Sequence, residues 1–145
     1  MPSVSRTFTV TLPLERAVEY LKDFGNAVDW DPGTETCTRN DSGPIAVGAN
    51  WHNVSKIMGV KAELTYTLEK LEADEIVLVG KNDSATSTDT LTFRPADGGT
   101  EITYRADLEM HGAAKLASPI MKLEFEKLAG ETEKKMTETL NGLAV

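Results

Sequence analysis

The chain is 145 residues long and carries 23 acidic against 15 basic residues, a net charge of −8 spread along its whole length. That sign argues against nucleic acid, whose binding rests on Lys and Arg neutralising phosphates, and against anionic membrane surfaces, while leaving an uncharged apolar ligand untouched. The lone Cys37 excludes an intramolecular disulfide, no Cys/His set has zinc spacing, and residues 1–10 contain no apolar stretch of signal-peptide length.

Val4, Arg6, Phe8 and Val10 alternate with Ser5, Thr7, Thr9 and Thr11, the period-two pattern of a strand. Pro13 ends it and opens a short amphipathic helix, with Leu14, Ala17, Val18, Leu21 and Phe24 at helical spacing. Gly25 and Asn26 interrupt that helix. Residues 27–30 add a further turn before Asp31-Pro32-Gly33 forces a loop. Up to His111 the pattern predicts six strands, at 34–39, 50–58, 61–71, 76–81, 86–94 and 101–110. Short turns between them imply antiparallel neighbours. In the last hairpin, pairing Arg94 with Glu101 sets Phe93 beside Ile102, Leu91 beside Tyr104 and Asp89 opposite Ala106.

The C-terminal stretch 113–143 reads as one long helix. Steps of three or four from Ala117 reach Met121, Phe125, Leu128, Thr132, Met136, Leu140 and Leu143, a single stripe, with Lys122, Glu126, Glu133 and Lys134 opposite. Leu116, Ile120 and Leu123 fall outside the stripe, so the half ending at Leu128 is expected to be covered on several sides, one of them a cavity. Ile120, Met121 and Phe125 are placed at that cavity, and Met136 and Leu140 in solid core. The element order is α+β: a curved seven-stranded antiparallel sheet around a long C-terminal helix, with two short helices after strand 1, as one domain over 1–145.

Phe8, Val10, Leu64, Tyr66, Leu68, Asp89, Leu91, Phe93, Tyr104, Ala106, Leu108 and Met110 share the inward phase. Most are packing residues. Tyr66 and Tyr104 stand apart because a buried phenol needs a hydrogen-bond partner, which a ligand can supply. Asp89 is the sharpest signal, a carboxyl in phase with Leu91 and Phe93 whose burial raises its pKa unless it is paired. It reads either as a general acid/base or anchor for a ligand hydroxyl, or as a group turned outward by a bulge or bonded to nearby threonines. Strand 50–58 is open in phase, Trp51, Asn53, Ser55 and Ile57 alternating with His52, Val54, Lys56 and Met58; the bulk of Trp51 and Ile57 favours the first set inward, which would make Asn53 a second buried polar group. Trp30, where the helices return to the sheet, is a pocket residue or a lid over the core. His52 and His111 lack the companions a metal needs, and no phosphate loop, nucleophile elbow or dinucleotide fingerprint is present. The candidate ligand-binding residues are thus Trp30, Trp51, Asn53, Tyr66, Asp89, Phe93, Tyr104, Met110, Ile120, Met121 and Phe125. Asp89 is the one catalytic candidate, and no metal or cofactor is expected.

The segment 18–24 followed by Asn26 and Trp30-Asp31-Pro32-Gly33, then Val47-Gly48, the run 88–93 and the run 99–106, resembles the polyketide cyclase/dehydrase-like branch of the START/Bet v 1-like superfamily over nearly the whole chain. The resemblance implies a helix-grip fold with an internal cavity for hydrophobic or aromatic small molecules. It carries over no catalytic residues, since members range from carriers to cyclases. The glycine-rich segment of the plant allergen branch is absent between the middle strands. Three functions are open: a non-catalytic binder of a lipid- or polyketide-like molecule, a cyclase or dehydratase using Asp89 and the tyrosines as acid/base groups, or a lipid- or quinone-delivery partner. A cyclase needs two or more converging ionisable groups and only one is identified, so binding is favoured. The expected setting is cytoplasmic, as a monomer or weak homodimer, without nucleic acid or membrane insertion.

Overall fold

The computed structural model describes residues 3–57, 59–111 and 119–144, without the side chains of 57 and 119–122. β1 (Ser3–Val10) leads into α1 (Leu14–Leu21), a 3₁₀ turn (Phe24–Asn26) and α2 (Ala27–Trp30). Then come β2 (Thr34–Arg39), β3 (Asn50–Ile57), β4 (Val60–Glu72), β5 (Glu75–Lys81), β6 (Ala85–Ala96), β7 (Gly99–Met110) and α3 (Pro119–Leu143). The expected helix positions 113–118 and the expected strand end at 58 lie outside the described residues.

The sheet has seven strands in the order β1-β7-β6-β5-β4-β3-β2, antiparallel throughout, so the first two strands in sequence form its opposite edges. α1 and α2 span the gap between them. The alternation in the last hairpin sets its register as expected, with Arg94 opposite Glu101, Phe93 opposite Ile102, Leu91 opposite Tyr104 and Asp89 opposite Ala106. Irregularities between Thr34 and Thr36 in β2 and between Leu68 and Lys70 in β4 add the bends that curl the sheet around α3. α3 packs on β1 and α2. Arg6 of β1 donates to the Glu126 backbone carbonyl at 3.1 Å and to its carboxylate at 3.0 Å. Near the other end, Asn141 Oδ1 accepts from the Thr11 backbone N–H at 2.8 Å.

The inward rows change size along their length. At one end Trp51, Leu68, Leu91 and Ile102 meet Met136 and Leu140 of α3, and all six are fully buried. Trp51, Asn53 and Ser55 all face inward, which resolves the phase of β3 as the bulk of Trp51 predicts. At the other end Ser55, Ala62, Ala85, Ser87 and Ala106 alternate with Leu64, Leu108 and Met110 among the inward positions, facing Ala129 and Thr132. Leu123 is 71% exposed, so the expectation that the apolar half of the helix is covered on several sides fails at this position. It lies on the face turned away from the sheet. Among the described residues no helix is long and apolar enough to cross a membrane.

Met136 and Leu123, on one helix, should therefore respond oppositely to truncation. Urea unfolding of Met136→Ala should show a loss of about 2–5 kcal/mol, and Leu123→Ala a change within about 0.5 kcal/mol.

Candidate functional site

The small inward residues leave a cavity of about 710 Å³ between the sheet and the 125–132 stretch of α3. Its walls are Val4 of β1, Leu64 of β4, Leu108 and Met110 of β7, and Phe125 and Leu128 of α3. It opens where exposed Val60, Lys61 and Glu63 of the β3–β4 hairpin approach Asn82 and Ser84 of the β5–β6 turn. The floor is polar: Asp89 of β6, Tyr66 of β4, Tyr104 of β7, and Asp31 from the loop after α2.

Alternation alone turns Asp89 inward, and it is only 4% exposed. Burial, reinforced by like charge from Asp31 and Asp107, pushes its pKa up to about 8, against a lowering interaction with Tyr104. Asp107 itself points outward to Arg105, 3.0 Å away. Burial first, and Asp89 second, raise both the Tyr66 and Tyr104 phenols well above their ordinary value, so both are neutral donors.

Asp31 is held differently. The Asp-Pro-Gly-Thr turn folds back on it: the Gly33 N–H donates to Oδ1 at 3.1 Å and the Thr34 hydroxyl to Oδ2 at 2.8 Å. Behind Thr34 the chain of donors continues. Asn53 Nδ2 donates to Thr34 Oγ1 at 3.2 Å, and the Ser55 hydroxyl donates to Asn53 Oδ1 at 2.6 Å. Every bond in this relay points its protons toward Asp31. Burial still raises the Asp31 pKa, opposed by Thr34, by Gly33 and by Lys135 of α3. It keeps partial accessibility because it faces the cavity.

The tyrosines are set by the packed end. Gly80 lies opposite Tyr66, and a Cβ at this position would stand 2.5 Å from the ring carbons, so the missing side chain lets the ring lie across β5. Phe24 packs on the Tyr66 ring at a centroid distance of 4.4 Å, and on Trp30 and Trp51 edge-on at 6.0 and 6.1 Å. Trp30 in turn stands 6.2 Å from Tyr104, edge-on.

Of the residues singled out from sequence, Tyr66, Asp89, Tyr104, Met110 and Phe125 border the cavity. Trp30, Trp51, Asn53 and Phe93 do not. Both tryptophans are fully buried behind the tyrosines, Asn53 supports Asp31 through Thr34, and Phe93 sits two inward positions beyond Asp89 in solid core. The side chains of Ile120 and Met121 lie outside the described residues. Met136 and Leu140 are packed core and do not border the cavity. Asp31 was not singled out: its turn sequence explains a loop fully, and no periodicity marks a loop side chain as inward. Away from the floor, burial lifts the Cys37 thiol to about 11, which removes it as a nucleophile at neutral pH. His52 pairs with Glu63 at 2.9 Å and His111 with Glu109 at 3.3 Å. Among the described residues no group of three His, Cys, Asp or Glu side chains is arranged to hold a metal.

The chain belongs to the family described as polyketide cyclase/dehydrase and lipid transport, whose model matches residues 1–144. Its architecture is the START/Bet v 1 helix-grip fold. A START superfamily protein from Mycobacterium smegmatis superposes with a TM-score of 0.71 at 19% identity, over 97% of this chain and 94% of that one. The Zhui aromatase/cyclase from a Streptomyces species gives 0.74 at 17% identity, over 98% and 92%. The di-domain aromatase/cyclase StfQ of the steffimycin biosynthetic pathway gives 0.72 at 12% identity, and this chain spans 51% of its length. At these identities the likeness is one of fold. No curated protein matches the sequence.

The acid at position 89 has a thermodynamic signature. In the unfolded chain it ionises in the ordinary carboxyl range, about pH 4, whereas in the folded protein it keeps its proton to about pH 8. Over that interval the folded state binds more protons, so stability falls as pH rises and levels off above the folded pKa. Relative to wild type, Asp89→Asn should gain unfolding free energy between about pH 5 and about pH 8, by up to about 1.4 kcal/mol per pH unit. A difference that does not change with pH contradicts a buried neutral acid.

Proposed function

We propose that the chain binds a hydrophobic or aromatic small molecule, of lipid- or polyketide-like size and shape, in the cavity between sheet and α3. The observation that carries this is a cavity of about 710 Å³ with apolar walls and a floor of four hydrogen-bonding groups. That size falls in the range of small-molecule sites, and apolar walls with few convergent polar groups are their usual composition. The walls contribute affinity by burial, while the phenols and carboxyls orient the ligand's polar end. In this role the protein is a cytoplasmic carrier or sequestering protein, acting as a monomer or weak homodimer.

A second reading, an enzyme of the cyclase or dehydratase type, is favoured by one observation: Asp31 joins Asp89 at the floor, so two ionisable groups converge where the sequence pointed to one. Burial acts on both carboxyls, but backbone and hydroxyl donors converge on Asp31 and oppose it there. Such pairs divide acid and base roles, here Asp89 as proton donor and Asp31 as acceptor.

Native mass spectrometry of protein purified from its own host, followed by organic extraction, tests the binding reading. The expected result is a co-purifying small molecule whose displacement by Nile red changes tryptophan emission through the Trp30–Tyr104 contact. A protein of bare mass that also takes up no Nile red overturns it. Loss of turnover with retained binding in Asp89→Asn would establish the second reading.

A further inference from the structure

The cavity carries charge of one sign. Among the described residues bordering it, Asp31 and Asp89 stand at the floor and Glu63 at the rim, and the only cation is Lys61, also at the rim. Lys61 is 3.5 Å from Glu35. Lys135 acts on Asp31 from α3 but does not border the cavity. Asp89 is buried and borders the cavity, and among the described residues it takes part in no salt bridge. Beside these carboxyls, Tyr66 and Tyr104 line the same floor. Carboxyls beside phenol hydroxyls in a buried floor are surroundings in which an ammonium group is well received, because charge-assisted hydrogen bonds replace its hydration.

Resting on the binding reading above and refining it, we propose that the cavity selects its ligand by charge, taking an aromatic or alicyclic amine whose ammonium is received between Asp31 and Asp89, and turning carboxylates away. Asp31 is the preorganised acceptor: donors from Gly33 and Thr34 and, through Thr34, from Asn53 and Ser55 converge on it and favour its charged form against the burial that raises its pKa. Asp89 supplies the second acceptor, because the positive charge of the incoming ammonium lowers its pKa and its proton is released to solvent. Its other titratable neighbours, Tyr66, Tyr104 and Asp107, provide no positive charge. A ligand carboxylate meets two acids and no cation at the floor, so it must take up a proton or leave its charge unpaired.

The test is competition against bound Nile red at neutral pH, with enough salt to screen the overall net charge. The competitors are naphthylethylamine, naphthylethanol and naphthylacetate, which share one ring system and differ in the charge of the polar end. The amine should displace the probe at a concentration at least about tenfold below that needed for naphthylacetate, with the alcohol between them. In Asp31→Asn and in Asp89→Asn that gap, read relative to each variant's own Nile red affinity, should narrow to less than about threefold. Equal or tighter binding of naphthylacetate by wild type overturns the proposal, as does a full amine preference surviving in both variants. Failure of Nile red to bind wild type would instead overturn the binding reading beneath it.

Discussion

Trp51, Leu68, Leu91 and Ile102 fill the inward face of the sheet at one end, and Ser55, Ala62, Ala85, Ser87 and Ala106 hold the same face at the other. α3 repeats the step, with Met136 and Leu140 over the first group and Ala129 and Thr132 over the second. Where sheet and helix face each other, large side chains close the space between them and small ones leave it open. Dispersion and burial hold the filled end together. That rigidity lets the other end stay open without collapse.

The polar floor sits where filled and open halves meet. Tyr66 and Tyr104 are braced from behind by Phe24 and Trp30, so their rings belong to the core while their hydroxyls belong to the cavity. Asp89 shares this boundary and is kept neutral by it, with a pKa near 8 set first by burial. Asp31 reaches the same place from a loop, fixed by its own turn and by the relay through Thr34, Asn53 and Ser55. Two carboxyls thus share one low-dielectric space in unlike surroundings, a condition useful to a binding site and to an acid/base site alike. Gly80 completes the arrangement by leaving room for the Tyr66 ring.

Much of this was legible in the residues. The period-two runs gave the strands and their phase, turn chemistry gave the antiparallel order, and the pairing of Arg94 with Glu101 registered the last hairpin through to Asp89 and Ala106. Asp89, Tyr66, Tyr104 and Met110 were legible as inward-facing from that alternation, and Phe125 from the apolar stripe of the helix. What escaped had no periodic signal. Asp31 belongs to a loop, and its direction depends on how α2 returns to the sheet. Trp30, Trp51 and Phe93 are inward yet lie behind the cavity, because alternation names the face of a strand and not the depth along it. The missing clue was present as side-chain volume: Ala85 and Ser87 before Leu91 and Phe93 on β6, and Ala62 before Leu68 on β4, mark where packing stops.

Whether this end of the fold is open space is read from the unfolding free energy of Ala106→Leu. Ala106 is 4% exposed, lies opposite Asp89 and borders the cavity. If the space is open, the added carbons enter it without displacing neighbours, and stability should hold or rise, by up to about 0.8 kcal/mol per buried methylene. A loss of about 1–3 kcal/mol, the ordinary consequence of overpacking a filled core, would contradict the account.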